Sequence, residues 1–171
     1  MATYGVSISI PPPWGDELQS RREDYGDPLA YAIPPHVTLL PPTQVEDEAL
    51  PAFEEHLRLV GARFAPFEML LRGTGTFRPI SPVVFVQVAS GIPWCEMLEQ
   101  AVRSGPVERE LDFPYHPHVT VAHAVAEHHL DEAFDGLAHF EARFEVADFH
   151  LYRHGEDSVW RPVADFALTG T

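Results

Sequence analysis

The chain has 171 residues, a single cysteine, 26 acidic against 11 basic side chains and a formal net charge of −15. That length fits one domain or two closely packed lobes, and one cysteine excludes an internal disulfide. The negative field excludes tight non-specific binding of long nucleic acid through phosphate neutralisation, but leaves room for a small anion in a local pocket.

The first segment, MATYGVSISIPPP, has no basic n-region and no long apolar run, and no later stretch reaches the roughly 20 apolar residues of a membrane span. The expectation is a soluble, reduced, cytoplasmic protein with no membrane partner. YGVSISI (4–10) alternates apolar and polar residues up to a triple proline and reads as a strand. Residues 15–25 read as a polar surface helix. PPHVTLLPP (34–42) is a short extended run fenced by prolines, which cannot donate to a ladder. In 46–63, Leu50, Phe53, Leu57 and Val60 recur at helical spacing behind an acidic first turn that suits the helix dipole. FEMLLRG (67–73) is a third strand.

The second half replays this order: a strand at 83–89, a helix at 93–105, a strand at 115–123, a helix at 127–140 and one further strand within 144–155. The segment 158–170 is a last strand whose proline predicts an edge or a bulge. PHVT occurs at 35–38 and again at 117–120, its histidines 82 positions apart, and Ala-Arg-Phe recurs at 62–64 and 142–144. The expected class is therefore α+β: one bilobal domain over 1–171 with an approximate internal repeat, 1–78 and 79–171. Each lobe is an antiparallel or mixed sheet with outer helices, and the pseudo-symmetric pair encloses a central cleft.

Strand side chains alternate faces, so His36 and Thr38 share one side while Val37 and Leu39 take the other; His118 and Thr120 stand likewise against Val119 and Val121. A two-fold between lobes would bring two imidazoles and two hydroxyls to one point. Opening a phosphodiester, above all a 2′,3′-cyclic phosphate, needs a base for the attacking water and an acid for the leaving ribose oxygen, and a pair of imidazoles can fill both roles. Threonine hydroxyls can donate to the phosphate oxygens as charge develops.

The duplicated His-x-Thr-hydrophobic motif, here HVTL and HVTV, resembles the signature of the 2H (two-histidine) phosphoesterase superfamily, in particular its bacterial 2′-5′ RNA ligase and cyclic nucleotide phosphodiesterase branch. The likeness extends over the opening strand, PHVTLLPP, GTGTF (73–77), FPYHPHVTVA and the final strands. It implies catalytic His36 and His118, phosphate-binding Thr38 and Thr120, no cofactor, no metal, and activity on cyclic phosphates or 2′-5′ linkages, with reverse ligation included. Many relatives carry an arginine three residues after the second threonine, where this chain has His123, which has the wrong parity in a regular strand. For hydrolysis His36 is read as the proton donor and His118 as the water-activating base.

Phe77, Tyr115 and Trp160 are candidate stacking platforms for a nucleobase. His116, His123, His128 and His129 raise a metal site, against which stands the lack of a carboxylate or cysteine at a familiar offset. Arg72 and Arg153 are read as surface salt-bridge partners ahead of phosphate ligands, and Cys95 as buried and inert. The expected substrate is a small nucleotide or an RNA terminus, met by a monomer. A non-catalytic nucleotide or phospho-metabolite binding module is the alternative, and a metal-dependent hydrolase built on the second-half histidines is a third reading.

Overall fold

The computed structural model describes residues 1–171. In β1 (Ala2–Ser9), Tyr4, Val6 and Ile8 are buried on one face, and Gly5, Ser7 and Ser9 alternate onto the other. The proline stop releases the chain into α1 (Trp14–Asp24), which turns Leu18 and Arg22 inward. β2 (His36–Val45) carries the first HVT motif. After a 3-10 turn at Asp47–Ala49, α2 (Leu50–Arg63) buries Phe53, Leu57 and Val60, and a proline occupies its first turn, where a missing N–H costs nothing. β3 (Phe67–Thr76), β4 (Val83–Ser90), α3 (Ile92–Arg103), β5 (His118–His123) and α4 (Glu127–Gly136) follow. Cys95 on α3 is fully buried, and burial pushes its thiol up to about 12. No helix is long and apolar enough to cross a membrane.

The segment 144–155, expected as one strand, is two. β6 (Glu141–Val146) and β7 (Asp148–His154) meet at Ala147 and pair with different partners, β6 with β3 and β7 with β1. β8 (Trp160–Ala167) is the outer strand, and its Pro162 sits at the register shift opposite Tyr152. A proline there leaves no ladder donor missing.

All strands join in a single antiparallel sheet, β6-β3-β4-β5-β2-β1-β7-β8, rather than two separate ones. Its two four-stranded halves meet between β2 and β5, where Val37 pairs with Val119. The halves do not coincide with residues 1–78 and 79–171. β3 is tied to β4 by the short loop 77–82, and consecutive antiparallel strands on a short connection pair with each other, so β3 crosses to the second half. β7 takes the vacated place beside β1. The Ala-Arg-Phe recurrence is not structural, since residues 62–64 end a helix and residues 142–144 lie in β6.

A core of 37 buried residues joins Leu18, Phe53, Leu98 and Leu130 of the four helices to Val6, Val37, Val86 and Val119 of the sheet. The helices therefore cover one face. The other face carries His36, Thr38, His118 and Thr120.

Candidate active site

The seam between the half-sheets is centred on the middle residue of both HVT motifs. Antiparallel register through Val37 and Val119 sets His36 opposite Thr120 and Thr38 opposite His118. Val37 and Val119 are fully buried on the helix side, while all four polar residues are half-buried on the open side. The seam is thus centred on one valine pair. Each histidine is diagonal to the other and faces the other motif's hydroxyl.

Both imidazoles are held in the same way. Nδ1 of His36 donates to the Pro34 carbonyl at 2.7 Å, and Nδ1 of His118 donates to the His116 carbonyl at 2.6 Å. A carbonyl only accepts, so each bond fixes the proton on Nδ1 and leaves Nε2 as the working nitrogen. A nitrogen so placed can take or give a proton at a bound phosphate ester.

The surroundings differ on the two sides. The His36 ring lies 4.4 Å from Trp160, centroid to centroid, and the Trp160 indole N–H donates to Nδ1 of His154 at 2.8 Å. Beyond them Tyr152 packs on Trp160, and its hydroxyl is bonded to Ser9 Oγ at 3.0 Å. His118 instead meets the edge of Phe77 at 5.0 Å, with Phe85 at 5.2 Å and His116 at 5.7 Å. Gly75 makes room for this cluster, because a Cβ there would come within 2.6 Å of the Phe85 ring.

Burial lowers the pKa of His36 from 6.5 to about 4; the Pro34 bond opposes the shift, and Arg22 and His118 add to it by charge. His118 is lowered as well, first by burial, then by the charge of His116, with its own carbonyl bond opposing. As pH falls from about 6.5 towards about 4, the unfolded chain binds a proton at position 36 that the folded chain refuses. Stability present above pH 6.5 is then lost, by on the order of 2 kcal/mol once solvent screening is allowed for. Melting temperature is expected to fall over that window, and His36→Phe is expected to flatten the fall; equal slopes would remove His36 as its source.

Of the three aromatic candidates, Phe77 lines the cleft half-exposed and Trp160, 9% exposed, is spent against His36. Tyr115 is not in the cleft. Its hydroxyl donates to the Thr38 carbonyl at 2.7 Å, its ring packs on the core, and burial raises its pKa strongly. Residues 115–117 precede β5 rather than belonging to the expected strand 115–123, so strand parity does not place them. Tyr115→Phe is expected to destabilise the fold by about 1 kcal/mol in a urea titration while leaving nucleotide binding unchanged.

His123 also departs from expectation. Thr120 pairs with Phe85 and Ala122 with Val84, so Val121 is an extra residue on β5; this bulge flips the parity and turns His123 to the cleft side, beside Val83. His128 and His129 group with Glu132 at metal-compatible spacing, but on α4, apart from the cleft. Arg72 stands exposed opposite Glu141, and Arg153 lines a cavity of about 810 Å³ with Arg161 and His154 that contains neither cleft histidine. Neither arginine is in an ion pair. Phe85 is the cleft residue the sequence reading passed over; its place in an apolar strand gave no sign that its ring faces His118.

Comparison with known proteins gives the family and the fold. The profile described as the 2′-5′ RNA ligase superfamily matches residues 10–158. A protein of Halalkalibacterium halodurans, provisionally named a phosphoesterase, is 29% identical over 140 residues, covering 82% of this chain and 79% of its own. A similarly named protein of Bacillus thuringiensis is 25% identical over 155 residues, covering 90% and 89%. Among solved structures, TT0787 of Thermus thermophilus superposes with a TM-score of 0.69 at 22% identity. E. coli LigT complexed with NADP+ gives 0.70 at 20%, and LigT complexed with 3′-AMP gives 0.64 at 21%. Each comparison spans 98% of both chains, and at these identities they establish a shared fold.

Proposed function

The chain belongs to the 2′-5′ RNA ligase superfamily, and from that premise we propose that it is a metal-independent phosphodiesterase of nucleoside 2′,3′-cyclic phosphates or 2′-5′ linked nucleotides. The observation that carries this reading is the pair of imidazoles across the β2–β5 seam, each with Nδ1 pinned to a carbonyl and each facing a threonine. One Nε2 takes the proton of the attacking water as the new O–P bond forms. The other, protonated, gives its proton to the ribose oxygen as the old P–O bond breaks. Thr38 and Thr120 hydroxyls donate to the non-bridging oxygens, where charge grows in the transition state. With a ribose 5′-hydroxyl attacking in place of water and the 3′-oxygen leaving, the same two proton transfers form a 2′-5′ linkage.

The substrate in this reading is a small nucleotide or an RNA terminus acted on by a monomer, because a chain of net charge −15 repels a long polyanion. That LigT is described with 3′-AMP, a nucleoside phosphate, supports a nucleotide-sized ligand here. Phe77, beside His118 and partly exposed, is the stacking platform for the base; Trp160 orients His36. The test is hydrolysis of the four nucleoside 2′,3′-cyclic monophosphates in excess chelator. Turnover is expected, and Phe77→Ala is expected to raise KM several-fold with kcat little changed, since stacking contributes roughly 1–3 kcal/mol per base. Binding of these nucleotides without turnover would identify a binding module, and activity abolished by the chelator would identify a metal enzyme.

A further inference from the structure

We propose that Arg22 is a positioning residue for His36, one that clamps the loop carrying its orienting carbonyl and makes His36 the proton acceptor of the pair, with His118 the donor. The inference rests on the two-histidine reading above. It reverses the roles expected from the sequence.

The geometry begins in a buried ion pair. Arg22, on the inner side of α1, is 5% exposed and Asp27 is 7% exposed. Nε and Nη2 of Arg22 donate to the same Asp27 oxygen, at 3.2 and 2.6 Å. Nη1 donates to the Ile33 carbonyl at 3.0 Å, and the second Asp27 oxygen accepts from the Leu29 N–H at 2.9 Å. One guanidinium thus holds both ends of the 26–33 loop. The next residue is Pro34, whose carbonyl fixes the His36 ring. The same loop accepts the Trp160 backbone N–H on the Ala32 carbonyl at 2.9 Å, so the ring that packs on His36 hangs from it too. Buried charge is expensive, and removing either partner of such a pair leaves the other uncompensated.

The second motif has no counterpart. The helix before His118 buries a carboxylate, Glu99, 3% exposed and paired within α3 to Arg103. The groups that face His36 are Thr120 and His118 across the seam, Ser9 on β1, and Trp160 from β8 with His154 behind it, while Arg22 of α1, holding the loop behind the ring, acts on it by charge. Of these only Arg22 carries a fixed positive charge. Its field adds to burial in keeping His36 neutral, the form that accepts a proton, whereas His118 feels no fixed cation and is the easier of the two to protonate.

The test is a proton-NMR titration of both imidazoles in the wild type, Arg22→Met, Arg22→Lys and Asp27→Asn. Arg22→Met is expected to raise the pKa of His36 by roughly 0.5 to 1 unit, as removal of one screened charge should. Asp27→Asn, which leaves the guanidinium without its counter-charge, is expected to lower it further, and Arg22→Lys to leave it near wild type. A loop merely loosened would admit water and raise the value in both Arg22→Met and Asp27→Asn; that pattern, or no movement in either, overturns the proposal. Should Arg22→Met not fold, the opposite sign in Asp27→Asn still decides. Roles are read with bis(p-nitrophenyl) phosphate, whose leaving group needs no acid. His118→Ala is expected to lose far less on this diester than on a cyclic nucleotide, and His36→Ala to lose equally on both; the reverse pattern overturns the assignment. If the wild type hydrolyses no phosphodiester, the functional reading fails, while the titration still judges Arg22.

Discussion

His36→Ala and His118→Ala are each expected to lower kcat on a 2′,3′-cyclic nucleotide by roughly 10²- to 10⁴-fold, with KM within a few-fold of wild type. The reason is the shared geometry. Each imidazole offers only its Nε2, because Nδ1 is committed to a carbonyl, and water, the sole replacement, is a far weaker acid and base at neutral pH. Both variants should fold, since the residues that anchor the seam, Val37 and Val119, are untouched and fully buried on the other face. The double variant should lose little more than either single one: with acid and base acting in one step, removing the first already forfeits most of what the second supplies. Two losses that multiply would show that the histidines serve separate steps or separate sites. Steady-state kinetics on the three variants, with circular dichroism as the folding control, measures this.

Phe149→Ala is expected to cost about 3–5 kcal/mol of stability, a large part of the roughly 5–15 kcal/mol that holds a domain together. Phe149 is fully buried on β7 and stacks on Phe166 of β8 at 5.4 Å. The space cannot close easily, because α2 already sits against β8: a Cβ added at Gly61 would come 2.5 Å from the Ala167 carbonyl oxygen. A cavity that cannot collapse carries the full penalty. The effect should reach the cleft, since β8 also carries Trp160, the ring against His36. The urea midpoint is the readout, and a shift matching less than 1 kcal/mol would show that the β7–β8 layer repacks freely.

How much of this was legible beforehand depends on whether the deciding contact is local. Period-two alternation places His36 with Thr38 and His118 with Thr120 on one face without any knowledge of pairing, and the half-chain spacing implies a two-fold. Pro162 likewise marks an outer strand, because a missing donor is a local fact. The exchange of β3 and β7 between half-sheets was not legible: it turns on which strands share a short loop and which edge is left open. His123 was misplaced by one bulge residue, which leaves no mark in a run as apolar as HVTVA. Arg22 was hidden for another reason. A single arginine in a polar helix is ordinarily solvated, and only the fold of the loop after it shows that its partner and a backbone carbonyl close over it.

If two histidines with lowered pKa values work as one acid–base pair, both show in the pH dependence of kcat/KM on a cyclic nucleotide, which reports the free enzyme's essential groups. A bell is expected whichever histidine is the base, with an acid limb near the His36 value of about 4 and a basic limb below 6.5, set by His118. The maximum then falls on the acid side of neutrality, in excess chelator as without it. A rate that stays level from about pH 5 to about pH 8, or a single limb that persists after either histidine is replaced, would contradict it.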